Sequence, residues 1–191
     1  MKKYFFIAAA ATALLFSGCS SKNPQKQPVC NIDGANAPAW ICNGGANMKN
    51  GIYAVGSAEK SPLGIAFQKD EAMAVARDRI ARQISLKVKN MFKRYLSSTG
   101  VGDAQTAERV STEVSKQVAY QTLRGSKLLK TWISPKGTVY VLVGISKDTL
   151  SQIIKNTANT TFKNDEALWQ EFKAKKAQDE LEMEIQKEFK Q

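Results

Sequence analysis

Between Asp70 and Gly100 the chain carries neither glycine nor proline, and its apolar residues recur three or four positions apart. Met73, Ala76, Ile80, Ile84, Val88, Met91 and Tyr95 therefore line one face of a single long helix. Such a helix gains its stability from whatever covers that stripe, so the chain has to supply a second layer. Gly100 and Gly102 end the helix. A second helix starts near Asp103, a fitting N-cap, with Ala107, Val110, Val114 and Val118 on its stripe and Gly125 at its close.

The second layer is β. Ile52-Tyr53-Ala54-Val55-Gly56, bounded by Gly51 and Ser57, reads as a strand. Residues 127–134 and 138–145 read as two more, joined by the turn Pro135-Lys136-Gly137. A short helix over 146–154 follows, with Asp148 near its start. The order strand, helix, helix, strand, strand, helix predicts an α+β fold: a small antiparallel three-stranded sheet packed against long helices. Three strands cannot close a barrel, so the sheet keeps open edges that invite self-pairing. Residues 163–191 add a charged amphipathic helix with Leu168, Phe172, Ala177, Leu181, Ile185 and Phe189 mostly at four-residue steps. From Asn164 on it carries five Lys against eight Asp and Glu, whereas the whole chain has a net charge of +11. An acidic helix on a basic body folds back on that body, docks on another copy, or stays solvated. For docking, Trp169 and Phe172 are its anchors.

The N-terminus reads as an address. Lys2 and Lys3 precede an apolar run from Tyr4 to Phe16 that is too short to span a bilayer comfortably. Ser17-Gly18-Cys19 then places small residues directly before a cysteine. Residues 1–18 are expected to be a lipoprotein signal peptide, with Cys19 carrying diacylglycerol and a further acyl chain such as palmitate. Ser20 rather than Asp follows Cys19, which predicts the outer membrane, with the domain on its periplasmic side. Residues 19–37, with Pro24, Pro28 and few apolar side chains, read as a flexible tether, and 38–162 as the folded domain. Cys30 and Cys42 lie twelve apart, and in an oxidising compartment they are candidates for a disulfide, with two free thiols as the alternative.

Composition excludes much chemistry. The chain has no histidine and three cysteines, so neither a His-based catalytic triad nor an all-cysteine zinc site can be built. No catalytic residue, metal or cofactor is expected. Ser57-Ala58-Glu59-Lys60 fits S-x-x-K but lies at a strand end rather than opening a helix. Gly125-Ser126-Lys127 is followed by a strand and is no P-loop. The long helix is strongly basic, and Arg77, Arg82 and Lys89 are the candidates for an anionic ligand, the alternative being a solvated face. No recognition helix or stacking platform accompanies this charge, so nucleic acid is not an expected partner.

Ala37-Pro38-Ala39-Trp40, then Tyr53-Ala54-Val55-Gly56-Ser57-Ala58, then Ala74-Val75-Ala76-Arg77 and finally Val139-Tyr140-Val141-Leu142-Val143 follow in that order. Together with the cysteine motif they resemble the bacterial lipoprotein family named for the twenty-kilodalton Helicobacter lipoprotein, over about residues 37 to 150. The resemblance implies an outer-membrane-associated α+β lipoprotein without enzymatic activity. It includes a branch that assembles into disks around the flagellar motor. The expectation is an anchored structural lipoprotein that self-associates or binds envelope or flagellar proteins, with membrane contact through acylated Cys19. The alternatives are a module binding an anionic envelope polymer, or a surface-exposed adhesin.

Overall fold

The computed structural model describes residues 29–46, 48–174 and 177–189. The expected signal peptide, Cys19 and the first part of the tether lie outside these. The expected α+β architecture is present. A sheet of strands β3 (Gly51–Ala58), β4 (Lys127–Ile133) and β5 (Val139–Ser146) has the order β3-β5-β4, antiparallel throughout. Helices α2 (Ile65–Thr99) and α3 (Ala104–Gly125) form an antiparallel pair, and α2 lies across β3 and β5.

The α2 stripe is buried as its spacing requires: Ala76, Ile80, Ile84, Val88, Met91 and Tyr95 are all fully enclosed. Opposite it, Val139, Val141, Val143 and Ile145 of β5 point the same way, because alternate residues of a strand share a face. The closest approach is at Gly56. A Cβ there would overlap the Ala72 carbonyl oxygen and stand 2.7 Å from the Ala76 amide nitrogen. The helix backbone rests on the strand backbone, which only glycine permits, with alanines on the helix side. Gly100 turns the chain out of α2 in the left-handed region, and Asp103 caps α3 by accepting the Thr106 amide at 2.7 Å.

Two expectations are corrected. The tether does not extend to residue 37. Cys30–Ile32 (β1) and Ala35–Ala37 (β2) form a hairpin around Asp33 and Gly34, whose positive φ values of 56° and 85° give the two-residue turn that an Asp-Gly pair favours. A short helix α1 (Ala39–Cys42) follows, and Cys30 and Cys42 are joined in a disulfide with Cα atoms 5.6 Å apart. This flap packs on the second face of the sheet at Tyr53 and Leu142. Gly45 comes so near that a Cβ on it would meet Leu142 at 3.0 Å and Tyr53 at 3.2 Å.

The other correction concerns the C-terminal third. Helix α4 (Lys147–Lys163) is twice the expected length, because Leu150, Ile154, Ala158 and Phe162 continue one buried stripe. In the final segment the described residues are helical over α5 (Glu166–Ala174) and α6 (Ala177–Phe189), as its four-residue steps predict. Both fold back on the body. The Tyr95 hydroxyl donates to the Ala177 carbonyl at 2.7 Å, and burial pushes its pKa up. Leu181, Ile185 and Phe189 complete the core around α2.

Candidate interaction surfaces

The three cations singled out on the long helix are not brought together as a site. Arg77 donates through Nε to the Ser126 hydroxyl at 3.3 Å and ties α2 to the start of β4. Arg82 pairs with Asp78 one turn earlier, a common helix-surface contact. Lys89 reaches Glu108 of α3 at 2.8 Å, and Lys93 takes the other oxygen of the same carboxylate. The hydrogen bonds from Lys89 and then Lys93 hold the Glu108 pKa down at about 2. Farther along, Glu188 of α6 accepts from Arg94 at 2.8 Å and lies 3.7 Å from Lys87, whose ammonium stands 5.8 Å from the Phe189 ring centre. Acids from α3 and α6 thus meet the basic helix from within the chain. Of the three fates open to the acidic tail, folding back is the one adopted.

That outcome removes Phe172 as an anchor for a partner. It is fully buried, stacked on Phe162 with ring centres 4.4 Å apart. Trp169 stacks on Phe172 with ring centres 5.5 Å apart, and the ammonium groups of Lys163 and Lys173 stand 5.3 and 5.4 Å from its ring centre. An aromatic ladder with cations at its rim closes a core here, with Phe172 enclosed and Trp169 half-buried.

The sheet edges differ from each other. On β3 the Val55 carbonyl accepts from Arg79 of α2 at 2.6 Å, so a helix side chain guards this strand. On β4 the guarding is by Lys127, Lys130 and a register shift at Leu129, devices that discourage simple strand addition. What β4 leaves open is a face. Leu128, Thr131 and Ile133 stand opposite Val143, Val141 and Val139 in the ladder and so point toward the helices. The three valines are completely buried, yet Leu128 is 41% and Ile133 48% exposed. The helix layer stops short of β4.

A second apolar surface was missed in the sequence. Pro62, Leu63, Gly64, Ile65, Ala66 and Phe67 are consecutive and all exposed, at the entry to α2. The signal was a run of apolar residues ahead of the helical stripe and out of phase with it. Gln68 holds this segment in place: its buried amide donates to the Glu59 carbonyl at 2.7 Å and to the Gly137 carbonyl at 3.0 Å.

Among the described residues no cluster of three or more Cys, Asp or Glu is placed to hold a metal ion, and no helix is long and apolar enough to cross a membrane. Ser57 of the S-x-x-K match is paired with Tyr140 within the sheet, and Lys60 lays its stem beside Gly137. A comparison with curated proteins finds no match. Residues 38–146, more than half of the chain, match the model of the LPP20 lipoprotein family, the sheet and the α2–α3 pair lie within that span, and the chain belongs to this family.

Proposed function

We propose that this LPP20 lipoprotein is a non-enzymatic scaffold of the cell envelope that assembles with further copies of itself through the helix-side face of β4. The observation that carries the reading is the contrast across the β4–β5 ladder. Three valines of β5 are buried, while their partners Leu128, Thr131 and Ile133 face the same side uncovered. A helix layer one element short is an unfinished sandwich, and a second copy finishes it. The lysines and the bulge on β4 turn the contact away from open-ended strand addition and toward side-chain packing, which suits closed rings. Cys19 supplies the anchor, acylated and inserted in the periplasmic leaflet of the outer membrane. The motility disk is the most concrete assembly of this kind.

An anionic ligand on α2 has less support, since Arg77, Arg82 and Lys89 each have a partner inside the chain. The test is cross-linking in intact cells. Multimers that disappear in Leu128→Glu and Ile133→Glu support the scaffold. Multimers that persist in both variants refute the β4 contact. Monomers alone in the parent refute self-assembly, and normal swimming of a deletion strain removes the motility version.

A further inference from the structure

We infer that the exposed entry to α2, residues 62–67, is a second membrane contact, which lies in the boundary between headgroups and acyl chains of the bilayer that holds the anchor. This rests on the anchored reading of Cys19.

The segment has the chemistry of an interfacial insertion. Leu63 is 69% exposed, Ile65 44% and Phe67 45%, and Pro62 and Ala66 are exposed between them. Large apolar side chains at alternate positions, just before and on the first turn of a helix, suit a soft planar boundary that accepts every side chain at once. The charges nearby do not single out a protein partner. Lys60 and Lys69 are accompanied by Glu59, Asp70 and Glu71, so the end is close to electrically neutral and attraction comes from apolar burial. The contact therefore needs no anionic lipid.

The place of this segment in the fold selects the occupant. Asp33, in the turn of the β1–β2 hairpin, lies 3.8 Å from the ammonium of Lys136 in the β4–β5 turn. The next residue, Gly137, accepts at its carbonyl from Gln68, three positions after Ile65. The turn of the hairpin that follows the anchor segment and the apolar entry to α2 thus lie at the same end of the molecule. From Cys19 to Val29 the chain runs ten residues. Fully extended these reach at most about 35 Å. A bilayer tethered that closely presents itself at millimolar effective concentration, so a patch too small to bind membranes alone is occupied by mass action. No other partner is supplied at that concentration by the chain itself.

The experiment uses the full acylated chain in phosphatidylethanolamine–phosphatidylglycerol vesicles, with a nitroxide at Leu63→Cys and, as control, at Ser97→Cys. Ser97 is exposed and lies 30 positions beyond Phe67 on the same helix, about 45 Å away at 1.5 Å per residue. Cys30 and Cys42 are paired and leave the introduced thiol as the labelling site. The expected result is that the Leu63 label relaxes with dissolved oxygen and is shielded from a water-soluble nickel chelate, with the reverse at Ser97. Salt and replacement of the phosphatidylglycerol leave this unchanged, and Ile65→Ser with Phe67→Ser abolishes it. A vesicle-bound chain whose Leu63 label meets the nickel chelate as freely as Ser97 overturns the inference alone. A label shielded from both reagents shows a protein contact and overturns it too. A parent chain that incorporates no acyl label when expressed with its signal segment overturns the anchored reading, and the membrane contact falls with it.

Discussion

Replacing Gly56 by alanine adds one carbon where α2 crosses β3. That carbon would overlap the Ala72 carbonyl oxygen and stand 2.7 Å from the Ala76 nitrogen and 3.0 Å from the Ala76 methyl. Carbon atoms rest at about 3.5–4.0 Å from their neighbours, so the helix has to retreat by on the order of 1 Å. The obstacles are backbone atoms and cannot rotate away. Retreat also loosens Ala72, Ala76 and Ile80, all of which are fully buried. Overpacking costs about 1–3 kcal/mol, and rigid obstacles place this case near the top of that range. In a chain of this length 1 kcal/mol moves the midpoint by about 2–4 °C, which gives a fall of roughly 6–12 °C. Thermal unfolding followed by circular dichroism reads it directly. Gly125→Ala is the control: its new methyl would meet only side chains, at 3.4 to 3.7 Å, and the midpoint should hardly move. Ala76→Gly removes one of the three obstacles of Gly56→Ala and leaves both backbone contacts, so the double variant should not recover. A Gly56→Ala protein that melts with its parent, or full rescue by Ala76→Gly, would refute a backbone-on-backbone crossing.

Three further outcomes are expected. Replacing Cys30 and Cys42 together by serine frees a loop of about a dozen residues; the loop-entropy relation sets the loss at about 3 kcal/mol, and quenching of Trp40 fluorescence should show whether the flap lifts first. Glu108 has its pKa depressed in the fold, so its contribution is present above its unfolded value of 4.5 and lost as the pH falls through about 2; Glu108→Gln should therefore be less stable than the parent at neutral pH and converge with it near pH 2, and equal stabilities at pH 7 would count against the Lys89–Glu108–Lys93 clamp. Phe172→Ala should lower stability by about 3–5 kcal/mol in urea titrations, as for a buried ring, whereas a partner-binding ring would leave the isolated chain unchanged.

Where the sequence spoke through periodicity, the fold followed it. The α2 stripe, the Asp103 cap and the 127–145 hairpin each rest on local rules that tertiary contacts reinforce. The β1–β2 hairpin was missed although Asp33-Gly34 is a strong turn signal, because strands of three residues are too short to alternate visibly. A stripe tells which face of a helix is apolar and says nothing of what will cover it. For that reason Phe172 was read as facing a partner, and the basic helix as facing a ligand. The basic helix is met instead by Glu188, 94 residues beyond Arg94, and by Glu108 across a single turn, while Phe172 is met by Phe162 of α4.

Helix α2 is continuous over 35 residues and is gripped at both ends: by Gln68 to the turns near its start, and by Tyr95 to the first residue of α6 near its finish. Between these grips Ala72, Ala76, Ile80, Ile84 and Val88 are packed without exposed gaps. A packed helix of this kind is stiff along its axis, so neither end can be displaced without moving the other. Mechanically it is a strut: load applied where the sheet sits is delivered at the C-terminal helices, with little lost to bending on the way.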